Sequence, residues 1–166
     1  MSIFAEIIGT GSAVPEKILT NFDLEKMVET SDEWIVERTG IRERRISDQS
    51  TSASTLATQA AWKALNAAGI KPQELDLILV ATVTGDMPFP SVACIVQKNV
   101  GALKAAAFDI CAGCTGFIYG LSVAQALIKA GQYQTILLIG VEILTKITDW
   151  ADRNTCVLFG DGAGAV

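Results

Sequence analysis

The chain has 166 residues, half of them hydrophobic, and a net charge of −5 from 13 basic and 18 acidic side chains. This length supports one domain with a sizeable core, and a charged fraction of 19% is too low for a disordered chain. An acidic chain without clustered Lys and Arg does not fit a nucleic-acid-binding protein. The sequence contains no histidine, the usual general base near neutral pH, so any reaction of this chain alone has to proceed without one.

The amino terminus and the cysteines predict a cytoplasmic, thiol-reduced protein. Residues 1–6 do not begin a signal peptide, and no apolar stretch reaches the ~18 residues that span a bilayer. A C-x-x-C pair is present, but it has neither a thioredoxin-like context nor a second pair to complete a metal site. We therefore expect no metal, no membrane partner and no nucleic acid. The four cysteines are Cys94, Cys111, Cys114 and Cys156.

The first half of the chain predicts two strands and two helices. In chain order they are a strand over residues 3–8, a helix from near Ser31 to Gly40, an alanine-rich helix over 52–68 ending at Gly69, and a strand over 76–82. Thr30 and Glu33 have the spacing of a capping box, which would fix the start of the first helix. The last strand is almost continuously apolar, which is typical of a strand buried on both faces of a parallel sheet.

The second half continues the alternation of helices and strands. In chain order the predicted elements are a helix over residues 91–100, a strand over 105–110, a long helix over 113–130, and strands over 135–139, 155–159 and 164–166. The long helix has one charge, Lys129, and a helix that is apolar all round is expected to be buried. The pattern predicts an α/β domain with a mixed, mostly parallel sheet. Because the sequence stops within an apolar run, we expect residues 1–166 to be one domain of a larger protein.

Cys114 is the candidate for chemistry. A predicted buried strand ends at Ile110 and leads through a small-residue turn into the long helix, which places Cys114 in the first helical turn. Unpaired N–H groups and the positive end of the helix dipole favour a thiolate there, and Gly113 and Gly116 would let other backbone, or a thioester, approach closely. This arrangement suits acyl transfer to sulfur. A buried structural cysteine is the alternative, which the pattern supports about equally well. That interpretation is preferred for the other cysteines, Cys94, Cys111 and Cys156.

The sequence resembles the β-ketoacyl-acyl-carrier-protein synthase III family, whose members start type II fatty-acid synthesis in bacteria. The segments that carry the resemblance are residues 31–45, 89–91, 108–117 and 158–165. It implies a thiolase-like fold of two similar βα halves, of which this chain matches the amino-terminal one, with the cysteine on a buried helix. It also implies that acetyl-CoA acylates Cys114 without a separate cofactor. Malonyl-acyl carrier protein then decarboxylates and attacks the acyl-cysteine, assisted by a histidine and an asparagine of the other half.

The resemblance further implies the ligand-binding residues. Trp34 matches the residue that stacks on the adenine of CoA, Arg153 would cover the other face, and Thr30 and Arg38 would contact the nucleotide. Phe89 matches the residue that reaches across a homodimer to close the partner's acyl pocket. Each residue also has a plainer interpretation. Trp34 would be a core aromatic, Arg153 a solvated charge and Thr30 a helix cap. Arg38 would belong to an ion pair, and Phe89 would be a locally packed loop residue. No catalytic role is expected for the ion-paired or solvated arginines, Arg42, Arg44 and Arg45.

Two other hypotheses remain open. The absence of histidine fits a stand-alone thiolase-fold domain for binding or dimerisation, without turnover. Related enzymes use the same cysteine to start polyketides or to make hydroxymethylglutaryl-CoA, whereas residues 31–45 favour the fatty-acid initiator. Cys111, Gly113 and Thr115 stand where many relatives have alanine. These differences bear on the shape of the acyl pocket and therefore on the choice of primer.

Overall fold

The computed structural model describes residues 4–166. In chain order the strands and helices are β1 (Gly11–Ala13), β2 (Ile18–Thr20), α1 (Asn21–Leu24), α2 (Asp32–Thr39), β3 (Glu43–Arg45), α3 (Ala53–Ala68), β4 (Leu77–Ala81), α4 (Val92–Val100), β5 (Ala106–Ile110), α5 (Gly116–Lys129), β6 (Ile136–Ile143), α6 (Arg153–Cys156) and β7 (Asp161–Ala165). Three short 3₁₀ turns lie at Pro72–Glu74, Gly113–Thr115 and Leu144–Lys146.

A five-stranded sheet in the order β1-β7-β6-β4-β5 forms the centre of the molecule. β4 pairs in parallel with both β5 and β6, whereas β7 runs antiparallel to β6 and to β1. Four of the five strands therefore point the same way, which confirms the predicted mixed, mostly parallel sheet. Every residue of β4 is buried, as expected for a strand with helices on both faces. β2 and β3 form a separate antiparallel ribbon.

Helices cover the two faces of the sheet unequally. The alanines of α3 and the apolar side of α4 form the larger core cluster, with residues of β4, β6 and β7. α5 lies on the opposite face, where it packs on Leu77, Leu79 and Leu138. α1 and α2 form a smaller cluster with the segment after α6. The carboxyl ends of the parallel strands are left open between α5 and the strand β7.

The helices with clear ends in the sequence are confirmed. α3 has Ser52 as its N-cap and Gly69 as its C-cap, and α4 ends at Gly101. α2 begins at the predicted place, but the capping box from Thr30 is wrong. The N-cap is Ser31, whose Oγ accepts a hydrogen bond of 3.1 Å from the Trp34 amide. Thr30 lies one residue too early to reach that amide.

Two predicted strands are wrong. Of the predicted strand over residues 3–8, residue 3 lies outside the described part, and residues 4–8 form no strand. Instead of a strand over 155–159, the chain forms the short helix α6, because the Asp152 side chain accepts from the amide of Asn154 and the hydroxyl of Thr155. Cys156 therefore lies on a helix. β7 starts at Asp161, so that residue lies within the strand and not in a turn between two strands.

The prediction that α5 is buried all round is also wrong for this chain. Its buried residues are Gly116, Gly120 and Ala124, which face the sheet. On the opposite side, Ile118 is 59% and Tyr119 55% exposed. The sequence shows that every face of α5 is apolar, but within residues 4–166 only one of these faces packs against other residues. Within that described part, no helix is both long and apolar enough to cross a bilayer.

Candidate functional site

Cys114 lies on the turn that joins β5 to α5. After Ile110 the backbone passes through Gly113, whose φ of +56° is a left-handed conformation that favours glycine, and enters a 3₁₀ turn. The Thr115 hydroxyl closes this turn by donating to the carbonyl of Ala112 at 2.9 Å. Cys114 is exposed, and it precedes the α-helix instead of lying in its first turn. The turn therefore presents the thiol at the open end of the strands.

The Cys114 side chain opens onto a cavity of about 470 Å³ at the carboxyl ends of β4 and β6. Most of its walls are apolar, and they come from four parts of the chain: the end of β4, the start of α5, the end of β6 and the segment before β7. This position, outside the carboxyl ends of parallel strands, is the usual place for a ligand site in an α/β sheet. The lining residues other than the cysteine are Ala81, Val83, Gly113, Phe117, Gly140, Val141, Glu142, Leu144, Phe159, Gly160 and Gly162.

Two glycines bring the start of α5 close to the sheet. A Cβ on Gly116 would lie 3.2 Å from the Cβ of Ala81, and one on Gly140 would lie 3.2 Å from Cδ2 of Phe117. Both distances are tighter than ordinary van der Waals contact, so larger residues would push the helix away from β4 and β6. Gly116 thus allows the helix to approach the sheet closely, which agrees with the prediction that this glycine permits a close approach.

Glu142 is a residue of the cavity wall that the sequence analysis missed. Its carboxylate accepts hydrogen bonds from the Val83 amide at 2.9 Å and from the Thr84 hydroxyl at 2.5 Å. The Thr82 hydroxyl is a longer donor at 3.5 Å. One charged residue in the otherwise apolar strand β6 was the available signal, because a carboxylate in such a strand needs donors.

The residues predicted to bind CoA come together around Trp34. The Cζ atoms of Arg38 and Arg153 lie 4.5 Å and 4.6 Å from the centroid of the indole, which is half-buried at the edge of the smaller core cluster. Arg153 also donates from Nη1 to the carbonyl of Glu29 at 3.0 Å. Beside Glu29, the buried hydroxyl of Thr30 has no hydrogen-bond partner among residues 4–166. This surface combines an aromatic face, two cations and an unsatisfied hydroxyl.

Phe89 is not brought together with Cys114. It lies on the loop before α4, is 85% exposed, and is absent from the lining of the Cys114 cavity. The plainer interpretation, local packing of a loop aromatic, does not hold for a ring with so little cover in the described part of the chain.

The other cysteines differ from one another. Cys156 is buried, and burial raises the pKa of its thiol. Cys94 is half-buried, with its thiol 3.7 Å from the carbonyl of Ala107. Cys111 is exposed, so its interpretation as a buried structural residue is wrong. Within residues 4–166, no group of three or more His, Cys, Asp or Glu side chains is placed to hold a metal ion.

Arg44 is not ion-paired or solvated, although the sequence led us to expect this. It is only 4% exposed, and its guanidinium donates to neutral oxygens, from Nε to the carbonyl of Val157 at 3.0 Å and from Nη1 to Oδ1 of Asn21 at 2.7 Å. It is therefore neither solvated nor ion-paired. Asn21 in turn donates to the carboxylate of Asp32 at 2.8 Å. Arg44 thus helps to fix the first residue of α2, the helix that carries Trp34.

Comparison with known proteins relates this site to a family. The family profile described as 3-Oxoacyl-[acyl-carrier-protein (ACP)] synthase III matches residues 108–166. A beta-ketoacyl-[acyl-carrier-protein] synthase III of Caldanaerobacter subterraneus subsp. tengcongensis is 67% identical over 163 residues, which cover 98% of this chain and 49% of the relative. The protein of the same name from Natranaerobius thermophilus is 62% identical, with coverages of 97% and 49%.

Solved structures give the same relationship. The 3-oxoacyl-[acyl-carrier-protein] synthase III of Aquifex aeolicus VF5 superposes with a TM-score of 0.94 at 54% identity, covering 100% of this chain and 53% of that one. The priming β-ketosynthase of the R1128 polyketide pathway superposes with a TM-score of 0.95 at 35% identity, covering 99% and 49%. The chain spans about half the length of the curated relatives it matches. It has a thiolase-like fold and is similar, over nearly its whole length, to the amino-terminal half of proteins named β-ketoacyl-[acyl-carrier-protein] synthase III.

Proposed function

We propose that this chain is the amino-terminal half of an acyltransferase that condenses acetyl-CoA with malonyl-acyl carrier protein, the initiating step of type II fatty-acid synthesis. The observation that carries the proposal is the position of Cys114, exposed on the β5–α5 turn at the wall of a largely apolar cavity. The 67% identity to the beta-ketoacyl-[acyl-carrier-protein] synthase III of Caldanaerobacter subterraneus subsp. tengcongensis supports this proposal. We further propose that the protein acts in the cytoplasm and requires no separate cofactor or metal.

In the first step, the sulfur of Cys114 attacks the carbonyl carbon of the acetyl thioester. The carbon–sulfur bond to CoA breaks, and CoA leaves as a thiolate that takes up a proton. The Cys114 backbone N–H is available as one donor to the oxyanion of the tetrahedral intermediate, and the family's other half would supply the second. The apolar cavity would hold the methyl group of the acetyl-cysteine and exclude water, which would otherwise hydrolyse it.

The surface around Trp34 would bind the nucleotide of CoA. A planar base can stack on an indole, and a guanidinium can cover the base's other face. Arg153 now lies directly over the indole, so it would have to move outward to admit the base between them. Thr30 would take part once the atoms that cover its hydroxyl move, because this buried hydroxyl has no partner in the described part of the chain and a ring nitrogen or amino group of the base would satisfy it. Arg38 is exposed and pairs with Glu37 at 3.6 Å, and it would exchange that partner for a phosphate of CoA.

In the second step, malonyl-acyl carrier protein loses carbon dioxide, and the resulting carbanion attacks the carbonyl carbon of acetyl-Cys114. The Cys114 thiolate leaves, and acetoacetyl-acyl carrier protein is released. This chain has no histidine, so the histidine and asparagine that assist decarboxylation would come from the family's other half. The chain by itself would carry the nucleophile and the CoA site and would not complete the cycle.

We also propose that the protein works as a homodimer. In the described part of the chain, β5 is at the edge of the sheet and pairs with β4 alone. An edge strand offers unpaired N–H and C=O groups to another strand, and Phe108 on β5 is 42% exposed. The exposed Phe89 is three residues before Val92, whose amide donates to Asp109 on β5 at 2.8 Å, so Phe89 would be near a second copy that adds its own β5 at this edge.

Three alternatives are tested by the same chemistry. A polyketide-priming synthase is favoured by the likeness to the R1128 priming β-ketosynthase at 35% identity. A hydroxymethylglutaryl-CoA synthase would take acetoacetyl-CoA as its second substrate instead of a malonyl carrier. A domain for binding or dimerisation alone would bind CoA without acylation of any cysteine.

The deciding experiment is acylation of the complete protein, in which this chain is continued by the family's other half. Incubation with isotope-labelled acetyl-CoA, followed by proteolysis and mass spectrometry, should place the acetyl group on Cys114 with release of free CoA. The C114S variant should release no free CoA. Label on Cys111 would overturn the assignment of the nucleophile, and absence of any label would overturn the acyltransferase proposal.

A further inference from the structure

We infer that Glu142 is a positioning residue that sets the width of the acyl cavity at Cys114 and so selects the acyl primer. The inference deepens the proposed function and rests on it. Glu142 and Val83 both line the cavity that contains Cys114, and a hydrogen bond of 2.9 Å joins the carboxylate of one to the amide of the other. Glu142 is on β6, whereas Val83 follows the end of β4.

The hydrogen bonds around Glu142 have a fixed direction. The Thr84 hydroxyl accepts from the amide of Ile143 at 2.8 Å, so its proton points to Glu142. The Thr82 hydroxyl accepts from the amide of Thr84 at 3.1 Å, which turns its proton toward the same carboxylate. The group at position 142 therefore meets donors only. A carboxylate fits this position because it only accepts, whereas the NH₂ group of glutamine would add a further donor.

This network fixes a part of the cavity wall that the core does not hold. Val83 is 44% exposed, so packing does little to fix its position. The same segment is anchored further along by other carboxylates: Asp86 accepts from the amide of Ser54 at 3.1 Å, and Asp109 accepts from the amide of Val92 at 2.8 Å. Those anchors hold the segment against α3 through Asp86, and hold its far end, at the start of α4, against β5 through Asp109. Glu142 holds its first residues against β6, beside the cysteine.

A small shift of Val83 would change which acyl groups fit. In an apolar pocket, one methylene changes the specificity ratio by about 10- to 200-fold. Releasing Val83 from Glu142 would widen the cavity and admit longer or branched acyl groups. The Trp34 surface takes no part in this network, so binding of the nucleotide should be unaffected.

The test compares acylation of Cys114 by acetyl-CoA and by isobutyryl-CoA in the complete protein. E142Q and T84V should shift the ratio of the two kcat/KM values toward isobutyryl-CoA by about tenfold. The T84S variant keeps the hydroxyl and should have the same ratio as the wild-type protein. E16Q, at an exposed carboxylate away from Cys114, should leave the ratio unchanged. An unchanged ratio in both E142Q and T84V, or an equal fall for both substrates, would overturn the inference.

A second readout does not require acyl transfer. Alkylation of Cys114 by haloacetamides of increasing size should be limited by the same wall, and E142Q and T84V should react relatively faster with the larger reagents. Amide exchange at Val83 should also speed up, because its acceptor is lost or weakened. If these changes occur in a protein that acetyl-CoA does not acylate, the proposed function fails and the positioning role stands. If acylation occurs and neither readout changes, the positioning role is wrong.

Discussion

The guanidinium of Arg153 lies over the indole of Trp34, with Cζ 4.6 Å from the ring centroid. The contact joins α2 to α6, and a hydrogen bond of 3.0 Å from Arg153 to the carbonyl of Glu29 holds the arginine in place. Because α6 is a helix where the sequence predicted a strand, the position of Arg153 depends on a local structure that its own sequence did not reveal. The contact between Arg153 and Trp34 allows a direct test of the proposed CoA site.

Replacing Trp34 with alanine should raise the KM of the complete protein for acetyl-CoA by about fivefold or more, because base–aromatic stacking contributes about 1–3 kcal/mol. The KM for malonyl-acyl carrier protein should change little. Trp62→Ala is the matched control, since Trp62 is 39% exposed on α3. Steady-state kinetics with each substrate varied in turn measures both values. Equal increases for the two substrates would show that Trp34 is only part of the core.

The isolated chain should form no acetoacetyl-acyl carrier protein, because it lacks a histidine to assist decarboxylation. Mass spectrometry of the carrier protein after incubation with both substrates measures this directly. The complete protein serves as the positive control. Product formed by the isolated chain above the level of its C114S variant would refute the proposal that the other half is needed.

Gly11→Ala should destabilise the complete protein by about 1–3 kcal/mol, the usual cost of overpacking. A Cβ at Gly11 would overlap the backbone oxygen of Ala60 and the backbone nitrogen of Ala64, neither of which can move without moving α3. Gly164 pairs across the same ladder with Ser12, and no described atom lies within 4 Å of its would-be Cβ. Gly164→Ala is therefore the control, and urea denaturation of both variants gives the comparison. Equal midpoints would contradict the close packing.

Arg44→Leu should cost about 2–4 kcal/mol of unfolding free energy, because the carbonyl of Val157 and the amide oxygen of Asn21 would remain buried without this donor. Burial lowers the pKa of Arg44, but the guanidinium remains charged at neutral pH. Arg42→Leu, at an exposed position, should change stability by less than about 0.5 kcal/mol. A small effect at Arg44 would mean that water replaces its hydrogen bonds.

The sequence predicted those elements whose signals are local. Ser52, Ser91 and the glycines that follow α3 and α4 mark helix ends, and the apolar run of β4 marks a central strand. The strand predicted over residues 155–159 was wrong. Their side chains favour strands, but Asp152 caps the amino terminus of a short helix there. The apolar pattern of a helix states which residues are apolar, not what covers them, so the exposed face of α5 was missed.

The site was predictable only in part, for a related reason. Cys114 stands out in its own segment, because a turn of small residues between a strand and a helix is visible locally. Glu142 bonds to Val83 and Thr84, and Arg44 bonds to Val157, across long stretches of chain. The bonds of Glu142 are created by the sheet order, which places the ends of β4 and β6 side by side. The bond of Arg44 is created by packing of the β2–β3 ribbon against the residue that follows α6. No spacing within the sequence encodes that juxtaposition.

Under the proposed function, the outer face of α5 that residues 4–166 leave uncovered would link assembly of the protein to its chemistry. Ile118 and Tyr119 are exposed there, on the same helix that follows the Cys114 turn. Docking of the family's other half on this face would remove apolar surface from water and, in the same event, would bring histidine and asparagine to the cysteine. The free energy that holds the two halves together would then also be the free energy that completes the reaction centre, so substitutions that loosen the joint should lose turnover before they lose the fold of either half.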